Sequence, residues 1–365
     1  MRRVWQRAAA LLLAGALLAG LGGCAGNSGT PETGSGPKPE PLQIGMSFDS
    51  FVIERWTRDR DVFVSTAQSL GAQVNVQNAN GDVDEQIAQI EYFIEKGMDV
   101  IVIIAIDSEA LQDVVKKAMD KGIRVIGYDR LLVGSGADLY ISFDNVRVGS
   151  LMGESLAENM PEGGNIFAIY GSRSDHNVAM VQEGLMDALE GTGIEIVYSA
   201  YCENWLAELA FGAVTEGLAQ TTDIGGVMCG NDDLASQAIR ALAERRLAGG
   251  VTVVAQDAEL SACQRIVEGT QEMTVYKPVD ELASSAAQLA VALGNGTDIT
   301  GEDAPLPVTD TIFDGTEEIP YYGIEPVAVT RENIDEVIVD SGFHMREDVY
   351  LNVADKTEDE TGLEE

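Results

Sequence analysis

The sequence predicts an α/β protein made of two similar halves, each a parallel sheet with helices on both faces. Two observations carry this reading. Short β-branched runs alternate with amphipathic helical patterns, the mark of strand–helix–strand units and of a sheet covered on both sides. After Asn145 the same alternation begins again.

The N-terminal stretch stands apart from that rhythm. Met1-Arg2-Arg3 through Arg7 gives a positive start, Ala8 to Leu21 a short apolar run, and Leu21-Gly22-Gly23-Cys24 a small-residue cleavage site. The run is too short to span a bilayer and reads as a signal peptide over residues 1–24. Cysteine directly after Leu-Gly-Gly resembles a bacterial lipobox, in which this residue, Cys24, is lipidated and becomes the mature N-terminus. Residues 25–42 shift to Gly, Ser, Pro, Thr and Glu, which cannot bury enough apolar surface to fold. They are expected to form a tether of about 20 Å if they behave as a flexible coil. At the other end, residues 355–365 form an acidic tail expected to fray. About 310 residues lie between, a length that suits two domains with cores of their own.

In the first half, strands are expected at Gln43 to Ser47, Gln73 to Gln77, Asp99 to Ile104, Arg124 to Tyr128 and Leu139 to Phe143. Helices are expected at Glu54 to Leu70, Val83 to Lys96 and Ser108 to Lys121. The second of these has Ile87, Ile90 and Ile94 at helical spacing, with Glu91 and Glu95 on the wet side. Gly71, Gly97 and Gly122 follow the helix ends, where a left-handed closing residue costs least. In the second half, strands are expected at Asn165 to Tyr170, Glu195 to Ala200, Gly225 to Cys229, Val251 to Ala255 and Met273 to Tyr276.

Composition narrows the function. A formal net charge of −37 argues against any nucleic-acid surface, since phosphate needs the opposite sign. Three cysteines follow Cys24, namely Cys202, Cys229 and Cys263, and an odd number forbids complete pairing within one molecule. Cys202 and Cys229 end strands expected to be neighbours. Buried thiols are the expectation there and a disulfide the alternative. None has metal-ligand spacing, and neither metal nor cofactor is expected. His176 and His344 are the only histidines, and no Gly-x-Ser-x-Gly elbow, Gly-Lys-Ser/Thr loop or His-Glu-x-x-His pair occurs. Abundant carboxylates leave a glycosidase-like acid pair as an alternative. The acids at strand ends, however, are mixed with Arg and Lys, which would hold them ionised. The expectation is a binding protein, not an enzyme.

In open parallel sheets ligands bind outside the carboxyl ends of the strands. Those positions here carry Asp49, Arg55 and Trp56, Asp107, Asp129 and Arg130, then Asp175, His176 and Asn177, Asn204 and Trp205, Asn231 and Asp232, Asp257 and Lys277. Trp56 and Trp205 are the only tryptophans outside the leader, and apolar positions elsewhere are filled by Val, Ile, Leu and Ala. Indoles beside polar groups suit a pyranose, whose axial C–H bonds stack on aromatic faces while its hydroxyls need convergent polar partners. Guanidinium and carboxylate groups can each engage vicinal hydroxyls through charge-assisted hydrogen bonds, and Asn amides both donate and accept.

Glu54-Arg55-Trp56, Arg58-Asp59-Arg60, Tyr128-Asp129-Arg130, Ser142-Phe143-Asp144-Asn145, Gln256-Asp257-Ala258 and Thr274-Val275-Tyr276-Lys277-Pro278 together resemble the periplasmic D-xylose-binding proteins, over essentially all of Leu42 to His344. The resemblance implies the type I periplasmic-binding-protein fold: two Rossmann-like lobes joined by a three-segment hinge. It implies an N-terminal lobe of residues 43–144 plus 277–323 and a C-terminal lobe of residues 145–276 plus 324–354. Arg55, Trp56, Asp129 and Arg130 would then hold the sugar from the first lobe, Asn177, Trp205, Asn231 and Asp257 from the second, and Lys277 from a crossover. The implied partners are a monosaccharide and an ABC permease and ATPase complex, with a membrane sensor of chemotaxis or kinase type as the alternative. The implied state is a monomer, held to the membrane by its lipid anchor alone.

Two departures from the resemblance bear on specificity. His176 stands where those receptors carry Asn, and Tyr201-Cys202-Glu203-Asn204 before Trp205 differs from theirs. Other aldoses, including glucose, galactose and arabinose, therefore stay open as ligands. A sugar-responsive repressor shares this core but needs a basic DNA-binding headpiece where this chain has its leader and tether.

Overall fold

The computed structural model describes residues 41–302 and 304–353. The signal peptide, Cys24, nearly all of the tether and the acidic tail lie outside the described residues.

The first sheet is laid down by β1 (Gln43–Phe48), β2 (Gln73–Asn78), β3 (Val100–Ile103), β4 (Arg124–Tyr128) and β5 (Leu139–Phe143). The intervening helices are α1 (Arg55–Ser69), α2 (Val83–Lys96) and α3 (Ser108–Met119). α4 (Asn145–Asn159) then opens a second series. Its strands are β6 (Gly164–Tyr170), β7 (Ile194–Tyr201), β8 (Gly226–Cys229), β9 (Thr252–Gln256) and β10 (Met273–Tyr276), and its helices α5 (His176–Leu189), α6 (Ala207–Gln220), α7 (Asp232–Glu244) and α8 (Leu260–Glu268). After α9 (Val279–Gly294) come β11 (Asp310–Phe313), β12 (Glu318–Ile324), β13 (Val327–Thr330), a π-helical turn (Asp335–Val339) and α10 (Arg346–Val349).

The two sheets repeat one winding. Spatial order is β11-β12-β5-β4-β3-β1-β2 in the first and β13-β10-β9-β8-β6-β7 in the second. Read from the other edge, both run second, first, third, fourth, fifth strand, all parallel. Among the described residues only the edge pairs β11–β12 and β10–β13 are antiparallel. The chain passes between the sheets three times. It leaves the first after β5, returns after β10 through α9, which packs on α1, and crosses again between β12, paired with β5, and β13, paired with β10.

Local chemistry explains the boundaries. α2 begins at Asp82, whose side chain accepts from the Glu85 amide, and closes on Gly97 at φ 68°. Its buried face holds Ile90, Phe93 and Ile94 as the spacing predicts, with Gln86 and Gln89 beside them. Those amides are buried because they are paired: Gln86 Nε2 donates to Ile104 O at 2.8 Å and Ser47 Oγ donates to Gln89 Oε1 at 3.0 Å. α4 and α5 touch backbone to backbone, since a Cβ on Gly149 would lie 2.0 Å from Val181 O and one on Gly184 1.8 Å from Val146 O.

Three expectations need correction. The third helix ends at Met119, ahead of the predicted Lys121. β11, β12 and β13 were not expected as strands. β7 and β8 are not neighbours, because each pairs with β6 from opposite sides. Cys202 and Cys229 form no disulfide, and these three thiols are free and buried.

Candidate functional site

Both sheets present the carboxyl ends of their strands to one cleft, walled by Arg55, Trp56, Asp129 and Arg130 on one side and Asp175, Asn177, Trp205, Gln256 and Asp257 on the other. Lys277 and Asn145, at two of the chain crossings, complete it, along with Ile53, Tyr170, Val178, Val181 and Met228. The space not filled by atoms is about 470 Å³, open solvent at its mouth included.

The charged side chains form two linked networks. In the first, Arg55 Nη2 is bonded to Asp129 Oδ2, Arg55 Nη1 lies 3.3 Å from Asp59 Oδ1, and Arg55 Nε lies 3.8 Å from Asp257 Oδ1, which meets Lys277 Nζ at 2.7 Å. In the second, Arg130 Nη1 contacts Asp49 Oδ2 at 2.9 Å and donates to Ala105 O at 2.8 Å, while Nε sits 2.8 Å from Asp175 Oδ2. Trp205 Nε1 donates to that same Asp175 oxygen at 3.1 Å. Three cations thus face five carboxylates: Arg55, Arg130 and Lys277 against Asp49, Asp59, Asp129, Asp175 and Asp257.

That imbalance decides which acids are perturbed. Burial pushes Asp59 up to about 7 despite Arg55 and the Tyr128 hydroxyl, and burial likewise raises Asp49 against Arg130. Burial also acts to raise Asp129, but Arg55, Lys277 and Arg130 outweigh it and hold that carboxyl below its ordinary value. Both guanidiniums stay charged: desolvation works against them, and the surrounding aspartates more than reverse it.

Backbone strain gathers at the same place. Among the described residues seven non-glycines have positive φ; three of them, Asp129, Trp205 and Asp257, line the cleft, and Asn204 and Ala258 adjoin two of these in sequence. Such conformations cost about 1–3 kcal/mol each and persist where surrounding structure imposes them. Contacts also cross between the halves. Asn177 Nδ2 donates to Asp129 O at 2.9 Å, and the Tyr140 hydroxyl donates to Asn177 Oδ1 at 3.3 Å. With Arg130–Asp175 and Arg55–Asp257 these bring the two sides together over the cleft. Several buried polar atoms have no hydrogen-bond partner among the described residues, including Arg55 Nε, Trp56 Nε1, Arg130 Nη2, Asn231 Nδ2 and Gln256 Oε1.

Residues 44–298 match the sequence model of the periplasmic binding protein domain. The chain belongs to the periplasmic binding protein family. It is 41% identical over 314 residues to the D-xylose-binding periplasmic protein of Haemophilus influenzae, covering 85% of this chain and 92% of that one. It is 40% identical over 308 residues to the D-xylose-binding periplasmic protein of Escherichia coli, covering 83% and 91%. Among solved structures, a carbohydrate transporter solute-binding protein from Chloroflexus aurantiacus in complex with D-glucose superposes with TM-score 0.77 at 27% identity, covering 84% of this chain and 98% of that one. An ABC transporter solute-binding protein from Clostridium phytofermentans with bound β-D-glucose gives 0.75 at 27%, covering 84% and 99%. The resemblance carried by the motifs is thus borne out, as is the type I fold.

In this periplasmic binding protein the cleft gathers Arg55, Trp56, Asp129, Arg130, Asn177, Trp205, Asp257 and Lys277, eight of the nine residues singled out from sequence. The ninth, Asn231, is not among the residues lining the cleft. Its Oδ1 caps α7 by accepting from the Leu234 amide, and its Nδ2 is buried without a partner. Trp56 is not a bare plate, because the Arg55 guanidinium covers its ring at 4.0 Å. Trp205 is wedged against glycines: a Cβ on Gly171 would lie 2.3 Å from its ring and one on Gly230 3.2 Å. His176 is exposed and does not line the cleft.

Sequence reasoning left Asp175, Gln256 and Asn145 out of the site. Asp175 was visible as a strand-end acid, yet an Asp before a helix also reads as an N-cap, and it does cap α5 through the Asn177 amide. It performs both tasks, one oxygen on the cap and the other on Trp205 and Arg130. Gln256 was masked by its place in the last turn of a buried strand, where its Nε2 donates to Gly230 O at 2.6 Å. No group of His, Cys, Asp and Glu among the described residues is arranged to hold a metal ion.

Proposed function

We propose that this protein is an extracytoplasmic receptor for a monosaccharide, D-xylose, which it captures by closure of two lobes and delivers to an ABC importer. The observation that carries this reading is the cleft itself: two indoles, two guanidiniums, an amine, three amides and fixed carboxylates converge from both sheets, with buried donors and acceptors left unpaired by protein. Hydroxyls spread around a pyranose ring match that set. Xylose is favoured over glucose by the higher identity to the D-xylose-binding proteins, 41% and 40%, than to the glucose-bound structures, 27%.

Arg55, Trp56, Asp129 and Arg130 hold the sugar from the N-terminal lobe, Asn177, Trp205, Asn231 and Asp257 from the C-terminal lobe, and Lys277 from a crossover. The hinge is the three segments near Asp144-Asn145, Tyr276-Lys277 and Gly323-Ile324. Sugar shifts the population toward the closed form because only there are contacts from both lobes satisfied. Lipidation at Cys24 would tether the receptor to the membrane while leaving it a free-standing monomer beside the permease. In denaturant, mature protein carrying that modification exposes three titratable thiols, whereas an unmodified full chain exposes four.

A thermal-shift panel of xylose, arabinose, ribose, glucose and galactose tests the reading, since a ligand that binds only the folded state stabilises it by mass action. Xylose is expected to give the largest shift. No shift with any of the five sinks the receptor reading, and a larger shift with glucose sinks the specificity.

A further inference from the structure

Beyond the Arg130–Trp205 edge of the cleft lies a second chamber with about 760 Å³ of space not filled by atoms, open solvent included. Arg130 and Trp205 line both spaces, so the two share a wall. The chamber is built by loops at the carboxyl ends of strands from both sheets: Asp49, Ser50 and Val52 after β1, Asn80 after β2, Ile106 after β3, Ser172 and Ser174 after β6, and Asn204 and Leu206 after β7.

Its chemistry is specific about what it would take. Asp49, its one carboxylate, is neutralised by Arg130 at 2.9 Å, and Arg130, its one cation, is held by Asp49 and Asp175. Among the lining residues an anion therefore finds no free cation and a cation no free acid, while Glu203, next to Asn204, accepts from the Ser172 hydroxyl at 3.2 Å. What remains is a ring of short hydroxyls and amides around Val52, Ile106, Leu206 and the edge of Trp205. Asn80 and Asn204 face it from opposite halves at φ 54° and 53°, exposed. Neutral donors and acceptors over a small apolar floor fit a second sugar ring.

We infer that the chamber is a subsite for a group attached to the bound sugar, so that the receptor takes a β-linked xylose disaccharide or xyloside as well as the free pentose. This rests on the reading of the inner cleft as a monosaccharide site. One ring occupies the inner cleft and its neighbour passes the Arg130–Trp205 edge into the chamber. Val52 provides the test position, because it lines the chamber and is 46% exposed, leaving room for a larger side chain without overpacking.

Calorimetry with D-xylose and with β-1,4-xylobiose on the wild type and on Val52→Trp decides it, alongside urea unfolding of the sugar-free proteins to show that both fold alike. Expected are wild-type dissociation constants within about tenfold of each other, and a variant that keeps xylose affinity within about twofold while losing at least about tenfold for xylobiose. Xylose binding with xylobiose weaker by more than about tenfold in the wild type overturns the subsite and leaves the monosaccharide receptor standing. Equal effects of Val52→Trp on the two sugars also overturn it. Absence of binding by either sugar removes both readings together.

Discussion

Gly171→Ala is the sharpest test of how Trp205 is held. Gly171 does not have a positive φ, so alanine is allowed there by the backbone and the effect is one of space alone. Its new Cβ would lie 2.3 Å from Trp205 Cη2 and Cζ2 and 2.5 Å from Cε2. Ordinary carbon contact begins near 3.4 Å, so the ring must recede by about 1 Å. It cannot do so freely. Gly230 lies beside Gly171 against the neighbouring Cζ3, which closes the same side of the ring, and Nε1 is tied to Asp175 Oδ2 at 3.1 Å. The indole therefore moves into the cleft and stretches the Asp175 bond. Overpacking of this kind costs about 1–3 kcal/mol of stability, and the same displacement imposed on the binding-competent form weakens sugar affinity by about 5- to 150-fold.

Urea unfolding and xylose calorimetry read the two effects separately. Trp205→Phe added to Gly171→Ala removes the benzo edge where the clash falls, so the double variant should regain stability while still binding weakly, because Phe offers Asp175 no N–H. Wild-type stability and wild-type affinity in Gly171→Ala together would show that Trp205 is not wedged and that the geometry assigned to the second wall is wrong.

Lys277→Met leaves the buried Asp257 carboxylate with only Arg55 Nε at 3.8 Å, and should cost about 3–5 kcal/mol in urea unfolding; Asp257→Asn in the same chain should return most of it, and a cost below about 1 kcal/mol would sink the ion-pair assignment. Glu259 is pushed up to about 10, first by burial and then by the charges of Asp232, Asp233, Asp257 and Glu54. Its folded value lies above the unfolded one, so its contribution is full below about pH 4 and is lost progressively as pH rises toward 10. Glu259→Gln carries no such proton, so its stability relative to wild type should grow between pH 5 and 9; parallel curves would show that Glu259 is not protonated in the fold. Burial raises the Cys202 thiol to about 11 and the buried Cys229 and Cys263 thiols as well, so a thiol reagent at pH 8 should react with none of them until the protein unfolds, and rapid reaction of the native protein would contradict their burial.

Much of the fold was legible because its strands are buried on both faces and so read as plain β-branched runs, as in Val100–Ile103 and Arg124–Tyr128. β12, Glu318–Ile324, was not, because it carries Pro320 and Gly323 and enters the sheet by pairing with β5 across a large gap in sequence. The site divides in the same way. Arg55, Trp56, Asp129 and Trp205 announced themselves by residue type at a strand end. Asn231 and Asp175 look alike in sequence, a short polar residue before a helix. Both serve as caps, and only the second oxygen of Asp175, aimed at Arg130 and Trp205, separates them. That distinction lies in the tertiary arrangement of loops from two halves, which no local pattern encodes.

The arrangement also bears on why sugar and closure are coupled. At the cleft Arg55 Nε, Arg130 Nη2 and Gln256 Oε1 are buried without a hydrogen bond from the described residues. Each such atom costs about 1–3 kcal/mol when desolvated and unpaired, so a few of them offset the interlobe bonds made by Asn177 and Tyr140, worth about 0.5–1.5 kcal/mol each. Opening returns the orphaned atoms to water at the loss of those bonds and of the Arg130–Asp175 and Arg55–Asp257 pairs, whose charges regain hydration as they part. On the proposed reading a bound pyranose supplies the missing partners in the closed form alone, which would reverse the balance. The donors are already fixed by Asp129 and Asp49 within their own half, so little ordering is left for the ligand to impose. Closure is then a consequence of satisfying groups that the fold has deliberately left short of partners, and a ligand lacking one hydroxyl should bind more weakly chiefly by failing to hold the lobes shut.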